Sequence, residues 1–213
     1  MTALKTRLRL YLVTDAVLCT TPVLVTTVRL AVTNGVTMVQ LREKTATTAQ
    51  RVQMALALKE ALAGTGVPLV VNDDVAAAVA ADVDGAHIGQ GDMSIAQARA
   101  LLGPDKILGL SCETSQAVQA ADPALVDYLG LGPVFGTATK TDHAQPIGLD
   151  GLAQLVALSP LPNVAIGGLK ATHIGDVHKS GADGMAVVSA ICGQADPAAA
   201  TRAFKALITE EAL

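Results

Sequence analysis

Short apolar runs recur along the chain about every 20 to 25 residues, each followed by a polar or glycine turn and then an alanine-rich segment. The runs are apolar throughout instead of alternating with polar residues, which is typical of parallel strands covered on both faces. The segments between them have the apolar spacing of helices. We therefore predict eight strands, at residues 8–13, 37–41, 69–71, 85–88, 107–110, 128–131, 164–166 and 184–188.

The intervening segments predict helices at residues 22–33, 47–63, 74–81, 94–102, 115–121, 149–158, 172–180 and 197–207. Residues that favour helix N-caps, such as Thr47, Ser94 and Thr172, stand where several of these helices begin. Eight strand and helix units indicate an α/β fold, the closed (β/α)8 TIM barrel, as a single domain over residues 1–213. An open doubly wound sheet is the alternative, but no Gly-x-Gly-x-x-Gly turn follows the first strand.

The composition of the chain indicates which classes of partner it is not expected to bind. The chain has 15 basic and 19 acidic residues, a net charge of −4, and only two tyrosines and two phenylalanines. Without a basic tract or aromatic residues for stacking on bases, it is not expected to bind nucleic acid. Cys19, Cys112 and Cys192 have neither disulfide nor zinc spacing, which fits a reducing cytoplasm. No segment resembles a membrane span or a signal peptide, so we expect no membrane association.

The end of the second predicted strand carries polar residues at every second position, namely Gln40, Arg42 and Lys44. Alternate residues of a strand point to the same side, so an amide and two cations meet there. Burying them would be costly unless a ligand or a partner carboxylate satisfied them. The pattern indicates an anion site, and the alternative is a solvated strand end at which Arg42 pairs with a nearby acid.

Acidic residues follow the next two strands. Asp73 and Asp74 come after the third strand and Asp92 comes shortly after the fourth. Two carboxylates from neighbouring strand ends, together with waters and phosphate oxygens, suit Mg²⁺. Each aspartate taken alone has an alternative role as a helix cap or a turn residue.

A second anion site is predicted after the seventh and eighth strands. Gly167 and Gly168 follow the seventh strand, and Val188 and Ser189 end the eighth, where barrels of this kind commonly bind phosphate. The long connection after the sixth strand has the hydroxyl groups, glycines and lysine of a ligand-binding loop. Ser111 ends the fifth strand, and because no histidine or acid is adjacent to it, we do not predict a serine nucleophile.

Six segments carry a resemblance to a known family: residues 39–44, 71–74, 87–92, 132–140, 146–148 and 165–168. In this order they resemble the motifs of the thiamine phosphate synthase family, and the similarity runs nearly from end to end. The resemblance implies a Mg²⁺-dependent transferase of thiamine biosynthesis.

The resemblance also implies residue roles. A pyrimidine diphosphate would be bound by Gln40, Leu41, Arg42, Glu43, Lys44, Asn72, Ser111 and Lys140. A thiazole phosphate would be bound by Thr137, Ala138, Thr139, Gly168, Val188 and Ser189. Mg²⁺ would be bound by Asp73 and Asp92, and the catalytic residues would be Arg42, Lys44, Lys140 and Ser111.

The implied reaction is loss of pyrophosphate from hydroxymethylpyrimidine diphosphate and capture of the resulting pyrimidine cation by the thiazole nitrogen. One departure from the family is that Cys112 and Glu113 follow Ser111, where relatives often have a small residue and then histidine. Two alternatives remain: a thiazole tautomerase, for which Glu113 is the candidate acid or base, and a catalytically silent phosphate-binding barrel. A homodimer is also plausible.

Overall fold

The computed structural model describes residues 3–19, 23–137 and 145–211. Its strands are β1 (Leu10–Val13), β2 (Met38–Leu41), β3 (Leu69–Asn72), β4 (Gly85–Ile88), β5 (Ile107–Cys112), β6 (Tyr128–Leu131), β7 (Asn163–Ile166) and β8 (Met185–Val187). All of them are parallel and pair in chain order, and β1 pairs with β8, so the sheet is a closed barrel. The predicted (β/α)8 fold is confirmed.

The helices lie outside this barrel. They are α1 (Ala3–Leu8), α2 (Val23–Asn34), α3 (Thr48–Leu62), α4 (Val75–Ala80), α5 (Ile95–Leu102), α6 (Ser115–Ala120), α7 (Gly148–Leu158), α8 (Ile174–Lys179) and α9 (Pro197–Glu211), with a 3₁₀ helix at Ala171–His173. None of the described helices is both long enough and apolar enough to cross a membrane.

Two predicted boundaries are wrong and two predicted caps are confirmed. The first strand begins at Leu10 instead of residue 8, because Leu8 ends α1 and its buried side chain packs inside the barrel. Thr172 lies within the 3₁₀ helix and does not begin a helix, since His173 Nδ1 accepts the hydrogen bond from the Lys170 N–H. Thr47 and Ser94 do cap α3 and α5.

The buried residues form two layers. Alternate strand residues face outward and pack against the helices, as Leu10, Leu12 and Val39 do. The others face the barrel interior, where Tyr11 and Tyr128 are fully buried among aliphatic side chains. The interior is therefore a packed core with two phenol groups in it, and the outer layer supplies most of the hydrophobic burial.

Side chains at the amino-terminal end of the barrel accept a hydrogen bond from the first or second N–H of every second strand. Oxygen atoms of Thr37, Asp84, Asp127 and Asp183 accept hydrogen bonds from the N–H groups of Leu10, Leu69, Leu108 and Asn163, over 3.0, 2.8, 2.7 and 2.9 Å respectively. Each acceptor residue directly precedes the next strand or is two residues before it. These bonds fix this end of the barrel and leave the opposite end for ligands.

Gly109 on β5 makes space for the polar residues inside the barrel. A methyl group at this position would overlap with the Tyr128 ring and with Nδ1 of His87. The side chains of Tyr128 and His87 are both buried, so neither can move aside without displacing its own neighbours. The interior packing therefore requires glycine here.

We predict that Gly109→Ala lowers the free energy of unfolding by roughly 1–3 kcal/mol, the usual cost of overpacking a core. Urea unfolding followed by circular dichroism measures this loss. Gly91→Ala is the matched control, because a methyl group there meets no atom within 4 Å. Equal stability of the two variants would contradict the packing described above.

Candidate functional site

A cavity of about 410 Å³ opens at the end of the barrel where the strands finish. Every strand contributes a residue to its lining, namely Val13, Gln40, Asn72, His87, Ser111, Gly130, Ile166 and Ala186. Further lining residues come from the loops that follow the strands. This is the face on which (β/α)8 barrels carry their active sites.

Arg42 and Lys44 supply positive charge to one side of the cavity. The Arg42 backbone N–H donates to Thr14 Oγ1 over 3.0 Å, and its Nη1 lies 3.2 Å from Asp15 Oδ2. Arg42 and Asp15 are mostly buried, with side chains 14% and 13% exposed. Asp15 therefore orients the guanidinium, which has four further N–H donors for other partners. Arg42 therefore does pair with a nearby acid, Asp15, as the alternative interpretation expected. Arg42 also lines the cavity, as the anion-site interpretation expected.

Two carboxylates face these cations. Asp73 follows β3 with a left-handed φ of 63°, and its Oδ2 lies 3.1 Å from Lys44 Nζ. Asp92 Oδ2 accepts a hydrogen bond of 2.7 Å from the Gly89 N–H. Burial raises the pKa of Asp92, as does the neighbouring Asp73 carboxylate, while the Gly89 N–H and Lys44 act in the opposite direction. Arg42, Lys44, Asp73 and Asp92 are called the charged wall below.

Asp74 does not face the cavity, although its neighbour Asp73 does. Its Oδ1 caps α4 by accepting from the Ala77 N–H over 2.9 Å, and its Oδ2 lies 3.0 Å from Arg51 Nη1. Burial opposes ionisation of Asp74, but hydrogen bonds from Ala77, Thr48 and Arg51 outweigh it and lower the pKa. Asp74 is therefore the aspartate that caps a helix, the alternative role that the sequence allowed for Asp73, Asp74 and Asp92.

The charged wall offers two carboxylates as ligands for Mg²⁺, and not a larger cluster of metal-binding side chains. Among the described residues, no group of three or more His, Cys, Asp or Glu side chains could hold a metal ion. Mg²⁺ commonly binds through one or two carboxylates together with waters and substrate phosphates. Asp73 and Asp92 both line the cavity and provide the two carboxylates, and the Asp73 carboxylate contributes to the raised pKa of Asp92.

A chain of hydrogen bonds crosses the barrel interior beneath the cavity. Gln40 Nε2 donates to Tyr11 Oη over 2.7 Å, and Tyr11 Oη lies 2.8 Å from Tyr128 Oη. Tyr128 Oη lies 2.9 Å from His87 Nδ1, and His87 Nε2 lies 2.9 Å from Ser111 Oγ. The expectation that Ser111 has no histidine neighbour is therefore wrong, because the fold brings β4 beside β5.

The opposite side of the cavity is formed by Gly167, Gly168, Val188 and Ser189, called the glycine wall below. Gly167 and Gly168 have φ angles of 103° and 62°, which disfavour any side chain. A Cβ on Gly168 would also lie 2.6 Å from the Gly136 carbonyl oxygen. Gly168 is therefore packed closely against the loop that contains Thr137, which also lines the cavity.

Some predicted site residues lie elsewhere. Leu41 is buried in the outer core layer, and the Glu43 carboxylate accepts from the Thr45 N–H over 3.0 Å. Their side chains do not line the main cavity. Ala138, Thr139 and Lys140 lie outside the described residues. Cys112 is fully buried, and this burial raises the pKa of its thiol to about 12, so it is a packed and unreactive thiol.

Several residues at or near the cavity, His87 among them, were not singled out from the sequence as site residues. Asp15 orients Arg42, the Gln90 amide donates to the Ser111 carbonyl over 2.8 Å, and the two tyrosines link Gln40 to His87. A signal exists for Tyr11 and Tyr128: each is a polar-tipped residue at an inward-facing position of an otherwise apolar strand. The other contacts depend on which strands become neighbours.

Comparison with known proteins gives consistent matches. A family model described as thiamine monophosphate synthase matches residues 10–191. A thiamine-phosphate synthase from Psychrobacter sp. is 53% identical over 193 residues, which cover 89% of this chain and 90% of that protein. One from Xanthobacter autotrophicus is 51% identical over 201 residues, covering 94% and 95%.

Solved structures agree with the sequence matches. A thiamine phosphate pyrophosphorylase from Pyrococcus furiosus is 34% identical, with a TM-score of 0.88 and 98% of each chain covered. A 3-hexulose-6-phosphate synthase, 18% identical with a TM-score of 0.69 over 93% of this chain and 99% of its own, shares the fold alone. From the matched family model and these relatives, the chain belongs to the thiamine monophosphate synthase family.

Proposed function

We propose that the protein condenses 4-amino-5-hydroxymethyl-2-methylpyrimidine diphosphate with hydroxyethylthiazole phosphate, giving thiamine phosphate and pyrophosphate. The observation that carries the proposal is the division of one cavity into a charged wall and a glycine wall. One wall suits a metal-bound diphosphate and the other a phosphate held by backbone groups. Two anionic substrates can therefore meet in one cavity.

The diphosphate half of the site is formed by β2, β3 and β5. Arg42 and Lys44 are positioned to neutralise the diphosphate, with Lys140 as a third cation in the family pattern. Asn72 and Ser111 line the cavity between the charged wall and the barrel interior, where they can hydrogen-bond the same substrate. Gln40 is buried at the cavity floor and held by Tyr11, so it is suited to contact the pyrimidine ring.

Asp73 and Asp92 would hold the Mg²⁺ ion that the resemblance implies. When bound, Mg²⁺ supplies positive charge that stabilises the leaving pyrophosphate. Without it, the two carboxylates repel each other, and Lys44 is the cation that partly compensates for this repulsion. The two carboxylates therefore favour the binding of a cation, and they lower the stability of the folded protein when no cation is bound.

The thiazole phosphate is assigned to the glycine wall together with Thr137, Ala138 and Thr139. Gly168 lines the cavity, and a helical turn begins at Val188, where the Cys192 N–H donates to the Val188 carbonyl over 2.8 Å. Backbone N–H groups at such a turn are good donors to phosphate. This wall follows β7 and β8, whereas the charged wall follows β2, β3 and β4.

The bond changes balance without a protein nucleophile. The bond from the pyrimidine methylene carbon to the diphosphate oxygen breaks, and its electron pair leaves with pyrophosphate. The lone pair of the thiazole nitrogen then forms the new carbon–nitrogen bond. The protein contributes positioning and charge stabilisation, which together account for large rate enhancements.

We also propose that the protein is located in the cytoplasm. The buried thiols of Cys19, Cys112 and Cys192 are free, which fits a reducing compartment.

We predict that the purified protein forms thiamine phosphate from the two substrates only when Mg²⁺ is present. Product is measured by oxidation to fluorescent thiochrome, and EDTA is expected to abolish it. Thiazole isomerisation without condensation would instead indicate a tautomerase. Binding of both substrates without turnover would indicate a silent barrel.

We predict that Asp92→Asn lowers turnover by at least roughly 100-fold, as loss of a charge-stabilising contact does. The same variant is expected to melt a few degrees higher than the wild type in metal-free buffer near neutral pH. Because the fold raises the pKa of Asp92, its ionised form costs stability, and this cost disappears as the pH falls below the ordinary aspartate pKa.

Asp74→Asn is the matched control for that experiment. Asparagine keeps an oxygen acceptor for the Ala77 N–H, so α4 stays capped, and Asp74 does not line the cavity. Its turnover is expected to stay close to that of the wild type. Similar losses in both variants would show that Asp92 has no special role.

We predict that Arg42→Ala lowers kcat/KM for the pyrimidine diphosphate by roughly 100-fold and leaves KM for the thiazole phosphate nearly unchanged. The reason is that Arg42 lies on the charged wall and away from the glycine wall. Arg29→Ala, on the exposed surface of α2, is the control for the assay. An equal rise of both KM values would contradict two separate anion sites.

A further inference from the structure

The buried hydrogen-bond chain between Gln40 and Ser111 has a direction, which follows from counting hydrogens. With the Gln40 amide nitrogen donating to Tyr11, the Tyr11 hydroxyl is an acceptor there and has one hydrogen of its own to donate. Among the described residues, Tyr128 Oη is its remaining hydrogen-bond partner, at 2.8 Å. Tyr11 therefore donates to Tyr128.

The same count fixes the rest of the chain. Tyr128 accepts from Tyr11, so its single hydrogen goes to His87 Nδ1, which must be unprotonated to accept it. Neutral histidine then carries its hydrogen on Nε2, which donates to Ser111 Oγ over 2.9 Å. The Ser111 oxygen is thereby occupied as an acceptor on the histidine side, and its own hydrogen is left for a partner in the cavity, which Ser111 lines.

We infer that Tyr11, Tyr128 and His87 are positioning residues that hold Ser111 as a hydrogen-bond donor to the substrate bound at the charged wall. None of the three needs to react. Their effect is to select one histidine tautomer and, through it, one orientation of a hydroxyl group. This inference rests on the proposed function for its kinetic consequences, but the tautomer itself does not.

The surroundings of the chain support a permanent arrangement. Tyr11 and Tyr128 are 1% and 0% exposed, and their burial raises the pKa of each phenol well above its usual range, so both keep their hydrogens. The barrel has glycine at 109 and 130 next to the His87 ring, where a larger residue would crowd it. The histidine is thus enclosed by the tyrosine on one side and by Ser111 on the other.

The first test needs no substrate. Long-range ¹H–¹⁵N correlation spectra of the ¹⁵N-labelled protein near neutral pH, with His87→Gln used to assign the signals, are expected to show a neutral His87 with hydrogen on Nε2. A hydrogen on Nδ1 would mean that the chain runs in the opposite direction, with Ser111 donating to His87, and would overturn the inference. A doubly protonated ring would overturn it as well.

Two matched substitutions then separate positioning from packing. Tyr128→Phe removes the donor to Nδ1 and is expected to give a mixture of tautomers, whereas Tyr11→Phe leaves that donor in place and is expected to keep the Nε2 form. Both remove one buried phenol from the same interior, so a general packing defect would affect the two spectra alike. That outcome would count against the inference.

The kinetic test is a double-mutant cycle with Ser111→Ala. Tyr128→Phe alone is expected to lower kcat/KM for the pyrimidine diphosphate by roughly 5- to 10-fold, the effect of one misdirected hydrogen bond. In the Ser111→Ala background the same change should cost little more, because Tyr128 acts through Ser111. Additive losses would overturn the inference. An inactive wild-type protein that still shows the Nε2 tautomer would refute the proposed function and leave the hydrogen-bond chain standing.

Discussion

Because β1 pairs with β8, the sheet has no free edge, and all eight strand ends are forced to meet around one opening. This closure is what brings Arg42, Asp73 and Ser111 to a common cavity although they lie on three different strand ends. The acceptor side chains at the amino-terminal end hold alternate strands in place. The stable end and the functional end of the barrel are therefore separate, as is usual for this fold.

Functional demands oppose stability at two places in this framework. Asp73 and Asp92 repel each other, and Asp73 also takes a left-handed φ of 63° that non-glycine residues rarely adopt. The hydrogen bond of 2.8 Å from its N–H to the His87 carbonyl continues the β3–β4 ladder and holds it there. The second place is the barrel interior, where hydroxyl, imidazole and amide groups replace apolar packing. Their mutual hydrogen bonds keep this tolerable.

The fold could be predicted from the sequence because apolar runs and helical segments alternate at regular intervals, and this pattern needs no tertiary information. The start of β1 could not, since Leu8 is equally suited to a buried strand and to the last turn of a helix that packs beneath the barrel. Local sequence also does not separate Asp73 from Asp74. Only the capped helix and Arg51 show that the second of them faces away.

Much of the candidate site could be predicted for a related reason. Residues after parallel strands converge, so Gln40, Arg42 and Asp73 could be assigned to one opening from strand positions alone. The hydrogen-bond chain could not, because its members are separated by up to 117 residues, as Tyr11 and Tyr128 are. Such contacts depend on strand register and on which side chains reach each other across the barrel interior, which periodicity does not reveal.

The central claim is that the charged wall binds a divalent cation together with a diphosphate. The most direct measurement is Mn²⁺ binding, followed by electron paramagnetic resonance of the wild-type protein with and without pyrophosphate, since Mn²⁺ accepts the oxygen ligands that Mg²⁺ prefers. Our account predicts weak binding by the protein alone, strong binding when pyrophosphate is present, and loss of both in the double variant Asp73→Asn, Asp92→Asn. Binding that ignores pyrophosphate, or that survives in the double variant, would contradict it.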